Sequence, residues 1–458
     1  MVPEETISNV NRARHMPPQS WTHEAVWSTV AVAVRPLHAL IAAPCLLFLA
    51  TLTLMLFRPP DLQFYAADRI AFLLLVMIVL LRASILRQPF WIIRSVSLPM
   101  IGLLLLACSS VLTQPLEAVT YSLLAAKFVV PFILFHLSML VFGSSASLRR
   151  FETFSLLALT YLSFTAIAFL VGTKALIFPS FILDESLGIH ADRARGPFLQ
   201  AVANGVTLNM LGLIALDAFR RGRLRGIWAI ALLGALPLAI LATMTRAVWL
   251  SFSISVLVLL VRTSSRRLRR ACLCLVVAGA IGVAAALSTA ELRMSLQDRL
   301  VERGPVEVRL ALYKAGWQMF LERPLSGWGA NQMAPELANR VTQYQLNASP
   351  VHNTYLEILV EHGIIGLALY LWLIIGLFRL GHAQLMPENP ATVYFPDTDF
   401  TDDGFRKIWP ILLGVYLMNA SFVVMNYQFV NGLLFTLAGM LAAQNRRAFE
   451  SQEDVLAS

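Results

Sequence analysis

The sequence predicts an all-α, polytopic membrane protein of about twelve transmembrane helices. Hydrophobic residues make up 57% of the 458 positions and charged residues only 14%, where a soluble domain carries about a quarter charged residues. Mean hydropathy is +0.68. Apolar runs of about 15 to 24 residues, near the length that crosses a bilayer as helix, recur along the whole chain. They are continuous instead of alternating, which excludes the dyad pattern of a membrane β-barrel.

In order, the runs cover 37–57, 70–86, 96–112, 119–141, 154–178, 198–218, 227–244, 247–261, 271–288, 363–378, 408–425 and 429–443. Arginine placement orients them by the positive-inside rule. Arg87 and Arg94, Arg149 and Arg150, Arg220 to Arg225, Arg262 to Arg270, and Arg446 and Arg447 fall in every second connection. Those connections and both termini are expected in the cytoplasm. The chain then divides into a cytoplasmic N-terminal segment (1–36), nine spans (37–289), a periplasmic loop (290–352), three further spans with a cytoplasmic loop at 381–407 (353–444), and a cytoplasmic tail (445–458). The net charge of +9 follows from this topology and from anionic headgroups; no nucleic-acid motif accompanies it.

The first 35 residues are polar and lack a short apolar region followed by a small-residue cleavage site, so the first span is expected to be an uncleaved anchor. Cys45, Cys108, Cys272 and Cys274 all fall within predicted spans, which argues against disulfides and thiolate metal sites. The 381–407 loop contains Asp397, Asp399, Asp402 and Asp403. Its expected cytoplasmic position and acidic, Pro-containing composition favour a solvated segment over a metal site.

The long outer loop looks ordered. In PVEVRLALYKAGWQMFL, helical spacing gathers Leu310, Tyr313, Trp317, Phe320 and Leu321 on one stripe, opposite Glu307, Lys314 and Gln318. Pro305 suits the first turn and Pro324 ends the helix. Such a helix could lie on the outer membrane surface, cap a cavity, or pack on the tops of spans.

Candidate functional residues cluster on the same side. In SPVHNTYLEILVEHGIIGLALY, His352 and Asn353 stand where the loop re-enters an apolar helix. The positive end of the helix dipole would keep the imidazole neutral, as a general base requires; the alternative is a histidine that only hydrogen-bonds its loop. Arg193 and Arg195 (HADRARGPF), Arg246 in a tight turn (ATMTRAVWL), and Arg303 and Arg309 are outer cations. Arginines there run against the charge bias and suit a shared anion such as phosphate. The competing role is headgroup binding or helix capping by snorkelling.

The series RGPFLQAVANG, TMTRAVWLSFSISVLVLLV, RLALYKAGWQMFLERPLSGWGANQM and HNTYLEILVEHGIIGLALYLWL resembles the O-antigen ligase and polysaccharide polymerase superfamily of bacterial inner membranes. The resemblance implies a periplasmic-face glycosyltransferase whose donor is a glycan on undecaprenyl diphosphate. The acceptor would be the lipid A core for a ligase or a lipid-linked repeat unit for a polymerase. It also implies His352 as general base, Arg195 and Arg246 as diphosphate ligands, and no nucleotide sugar, metal or other cofactor. Arg193, Arg309 and Asn353 are further candidates. Where relatives often carry Asn-Pro-Asn, this chain has QAVAN, Gln200 to Asn204. Glu357 and Glu361, four apart on one helical face, are left out of the catalytic set.

A different class, a lipid-linked oligosaccharide flippase or other transporter, would use ionisable groups near mid-membrane; Lys127 and His136 are the candidates within a span. The orientation has a direct test. Of the variants Gln345→Cys and Ser451→Cys, only the first should react with a membrane-impermeant thiol reagent in intact cells. Labelling at 451 and not at 345 overturns the orientation.

Overall fold

Lipid offers no partners to backbone amides, so a long apolar segment must satisfy its hydrogen bonds internally. The computed structural model is accordingly helical, with no strand among the described residues. These are 43–58, 66–112, 118–301, 304–344, 350–382 and 400–457. The helices are α1 (Pro44–Leu56), α2 (Ala67–Ile85), α3 (Arg94–Leu112), α4 (Ala118–Leu124), α5 (Val130–Val141), α6 (Ser145–Leu170), α7 (Ala201–Arg220) and α8 (Gly226–Ala242). They continue with α9 (Arg246–Arg262), α10 (Arg266–Ser288), α11 (Ala290–Val301), α12 (Gly304–Glu322), α13 (Ala330–Arg340), α14 (Thr354–His382), α15 (Asp403–Ala420) and α16 (Gln428–Ala457). A π-turn, Ala125–Val129, joins α4 to α5.

Among the described residues, five helical stretches are long and apolar enough to cross a membrane: Tyr121–Val141, Ser145–Leu170, Ala201–Arg220, Arg266–Ser288 and Thr354–His382. Pro44–Leu56, Arg94–Ser109 and Gly226–Ala242 are apolar but shorter. The expected N-terminal segment, Arg303, Gln345, and Asp397 with Asp399 lie outside the described residues. Burial ranks the spans: α7 is 89% buried over its apolar window and forms the centre, whereas α10 is 28% buried and lies at the periphery. Asp402 of the acidic loop caps α15, accepting from the Phe405 amide at 2.8 Å, and pairs with Arg220.

Three boundaries differ from the hydropathy reading. The run at 154–178 is helical from Ser145 to Leu170, leaving a segment with only short 3₁₀ turns up to residue 200. The run at 408–425 ends as helix at Ala420, so 421–427 forms a loop before α16. The third concerns α14, which starts at Thr354 and is broken at Gly363, where φ is 65° and ψ is −165°.

That break organises the 290–352 segment. In an unbroken helix the Ile364 amide would bond the Val360 carbonyl; here it donates to Pro324 O at 2.8 Å. The carbonyls released at the break accept from elsewhere in the PLSGWG loop, Val360 O from the Trp328 amide (2.8 Å) and Glu361 O from the Gly329 amide (2.9 Å). Leu312, Met319, Met333, Leu337 and Val351 form a small core of their own that closes on Val360 of α14. The expected stripe of α12 is therefore not the covered face: Leu310, Trp317 and Leu321 are exposed and Tyr313 and Phe320 half-buried, whereas Leu312, Ala315 and Met319, outside it, are buried. Periodicity located an apolar helix, but its neighbours selected which face is covered.

A Cβ at Gly363 would sit 2.2 Å from the Leu325 carbonyl oxygen, in a backbone region that is nearly glycine-only. Gly363→Ala should cost at least about 1–3 kcal/mol, read as a lower unfolding temperature of the detergent-solubilised protein. An unchanged midpoint would show that the break is not fixed by this contact.

Candidate active site

A cavity of about 550 Å³ opens where five segments converge: the loop before α7, the α8–α9 turn, the ends of α11 and α12, the residues entering α14, and the 421–427 loop. Its volume is that of a small-molecule site. Arg193, Arg246, Arg299, Arg309, His190 and His352 line it, with Gln200, Asn426 and Tyr427. Apolar wall comes from Ile189, Val202, Met244, Phe422, Val423 and Val424.

The local sequence explains each placement. Arg246 is the first residue of α9, and Thr245 before it supplies no side-chain cap; its hydroxyl donates instead to Thr243 O at 2.8 Å. Thr245, Arg246 and Ala247 all line the cavity, so the positive end of α9 and a guanidinium face the same space, an arrangement suited to anions. The Trp249 indole N–H holds the turn by donating to Ile240 O at 3.0 Å.

Arg193 and Arg195 are two residues apart but have different roles. Arg193 lines the cavity, with its Nε 3.7 Å from Asp192, which also pairs with Arg299. Arg195 is 1% exposed and does not line the cavity. Its guanidinium donates to the carbonyls of Ile182 (3.1 Å), Leu187 (2.5 Å) and Asp184, tying up the loop behind the wall. Asn204 completes that support, its side-chain amide donating to Ala194 O at 2.8 Å.

His352 is half-buried. Its imidazole is held below the usual histidine range by burial, with the Arg309 charge and His190 adding to the effect. Burial is thus the leading cause of the lowered pKa. Asn353 occupies the capping position: its Oδ1 accepts from the amides of Tyr355 and Leu356, both at 3.0 Å, and it is not a cavity-lining residue. Tyr313 of α12 donates to the His352 carbonyl at 3.2 Å. The Thr354 hydroxyl donates to Val423 O and accepts from the Met425 amide, both at 2.9 Å, which fastens the 421–427 loop to the start of α14.

Backbone strain gathers at the same place. Six described non-glycine residues have positive φ, and three of them, His190 (58°), Met244 (47°) and His352 (55°), line the cavity. Such conformations persist where the surroundings over-determine them, and they concentrate at functional sites.

Residues 228–371 match the family described as O-antigen ligase. That stretch is similar to an O-antigen ligase domain. No curated protein matches the chain. The O-antigen ligase match spans Arg246, Arg299, Arg309 and His352, whereas Arg193 and the 421–427 loop contribute to the cavity from outside it. The matched stretch supports a ligase or polymerase role in polysaccharide biosynthesis, and the long apolar helices indicate an integral membrane protein.

Within the bundle, Lys127 of the π-turn reaches Glu357 at 3.1 Å and Glu361 at 2.9 Å. Neither glutamate faces the cavity; both hold the first half of α14 against α4–α5. His136 is committed as well, Nδ1 to Phe132 O at 2.9 Å and Nε2 to the Ser97 hydroxyl at 3.0 Å. Lys127→Met would leave two buried carboxylates without their cation, at a cost of about 3–5 kcal/mol. The triple variant that also carries Glu357→Gln and Glu361→Gln should recover much of that loss in thermal unfolding. A single variant as stable as the parent would show that the pairing is not structural.

Proposed function

We propose that this cavity is the active site of a periplasmic-face glycosyltransferase of the bacterial inner membrane. It would transfer a glycan from undecaprenyl diphosphate to an acceptor hydroxyl, as an O-antigen ligase on lipid A core or as a polysaccharide polymerase on a lipid-linked repeat unit. One observation carries the reading: a neutral histidine and four arginines from separate segments line one space.

In the mechanism, the His352 imidazole takes the proton from the acceptor hydroxyl as that oxygen bonds to the anomeric carbon. The bond from that carbon to the diphosphate oxygen breaks, and its electron pair leaves on the diphosphate. Arg193, Arg246, Arg299 and Arg309, with the amides opening α9, stabilise the departing charge. A single displacement inverts the anomeric centre. The ligand role expected of Arg195 passes to Arg193, with Arg195 bracing the loop that presents it. Asn353 positions His352 by capping α14.

His352→Ala should lower transfer about 10²- to 10⁴-fold while purified protein still binds lipid-linked donor, whereas Arg246→Ala should weaken both. Arg246→Lys should rescue poorly, because an ammonium lacks the planar two-point contact with phosphate. A base must be neutral, and the His352 pKa is lowered, so activity should persist on the acid side of the usual histidine range. Arg309→Gln removes one depressing charge and should move the acid limb of the rate profile to higher pH. Normal transfer by well-folded His352→Ala protein would sink the mechanism.

A further inference from the structure

The outer helix α12 has three faces where a surface helix ordinarily has two. One packs: Leu312, Ala315 and Met319 are 0–5% exposed. A polar strip runs through Glu307, Lys314, Gln318 and Glu322, all exposed. Between them lies an apolar stripe open to the outside, Val306 (43% exposed), Leu310 (62%), Trp317 (51%) and Leu321 (59%), at spacings of four, seven and four residues that align on a helix. Isolated exposed leucines need no explanation, but a contiguous stripe centred on tryptophan does.

The stripe leads towards exposed apolar residues of a candidate membrane span. Past Leu321 comes Leu325, 66% exposed, on the loop that bonds α14 through Pro324 O and the Ile364 amide. Ile364 and Ile365, 45% and 49% exposed, begin the half of α14 that runs through the membrane-spanning stretch Thr354–His382. The loop that follows α12 thus ties its exposed apolar face to the exposed apolar start of the second half of α14.

We infer that α12 is seated in the bilayer surface on the cavity side, with Val306, Leu310, Trp317 and Leu321 in the boundary between headgroups and acyl chains and Lys314 toward the headgroups. Interfacial helices of this kind bury their apolar face about 5–10 Å, and tryptophan is enriched at that depth. Arg309, adjacent to Leu310, lines the cavity. The seating therefore sets the cavity at the level of lipid phosphates, where the diphosphate of a lipid-linked donor lies; this functional consequence rests on the reading proposed above.

Nitroxide labels on cysteines at 310, 317 and 321, and separately at 314 and 318, test the seating in proteoliposomes of the full chain with its four native cysteines replaced by serine. Collision rates with oxygen should exceed those with a water-soluble nickel chelate at the first three positions, and the order should reverse at the other two. Nickel access at all five places the stripe in water and overturns the inference. Access by neither reagent at 310, 317 and 321 shows the stripe covered by protein, a second copy or another partner, and overturns it equally. For the consequence, Trp317→Glu should raise KM for lipid-linked donor with kcat retained; an unchanged KM removes the depth-setting role. These readouts separate from the catalytic reading, since the collision pattern is independent of transfer and His352→Ala leaves α12 untouched.

Discussion

The exchange of backbone hydrogen bonds at Gly363 is the constraint on which the cavity side of this protein depends. Breaking a helix near a bilayer strands amides and carbonyls that lipid cannot satisfy. Here one short loop supplies replacement bonds: Pro324 accepts from Ile364, while Trp328 and Gly329 donate to Val360 and Glu361. The loop can approach that closely only because two glycines face each other's backbones. A Cβ on Gly327 would lie 2.4 Å from the Glu361 carbonyl, as one on Gly363 would clash with Leu325. The half-helix 354–362 thereby becomes part of the outer segment as much as of the bundle.

The cavity inherits its geometry from that half-helix. At one end Thr354 fixes the 421–427 loop and Asn353 closes the first turn. Along its side Tyr355 donates to Leu417 O at 3.0 Å, and Glu357 and Glu361 anchor to Lys127. His352 is held in a left-handed backbone conformation between these attachments. The four arginines come from four different segments, so charge is concentrated by tertiary structure and not by any one motif.

Much of the plan was legible in the sequence, and what was not has physical reasons. His352 and Arg246 could be singled out because each interrupts an apolar pattern at a helix start. The same logic could not choose between Arg193 and Arg195, since the irregular loop carrying them has no periodicity to say which side chain turns inward. The 421–427 loop escaped because Val423, Val424 and Met425 read as span; hydropathy records composition, whereas the helix ends there through the Thr354 hydroxyl, 69 and 71 residues away. Arg299 and His190 share the loop and the motif of the residues singled out, but nothing in the local pattern says that they turn into the same space. The twelve expected spans remain a reading of apolar runs, of which five are long helices among the described residues.

The buried pairing of Lys127 also bears on how the protein is made. Its nearest carboxylate, on Glu361, lies 234 residues later in the chain. At a synthesis rate of about 5–20 residues per second, that partner emerges roughly 12–47 s after the lysine. An unpaired ammonium within a span costs up to about 2.5–3.5 kcal/mol on insertion scales, the figure for the span centre. Throughout that interval the helix bearing Lys127 must be held by the insertion machinery or by its apolar neighbours, and the bundle gains this buried lock only when the last third of the chain arrives.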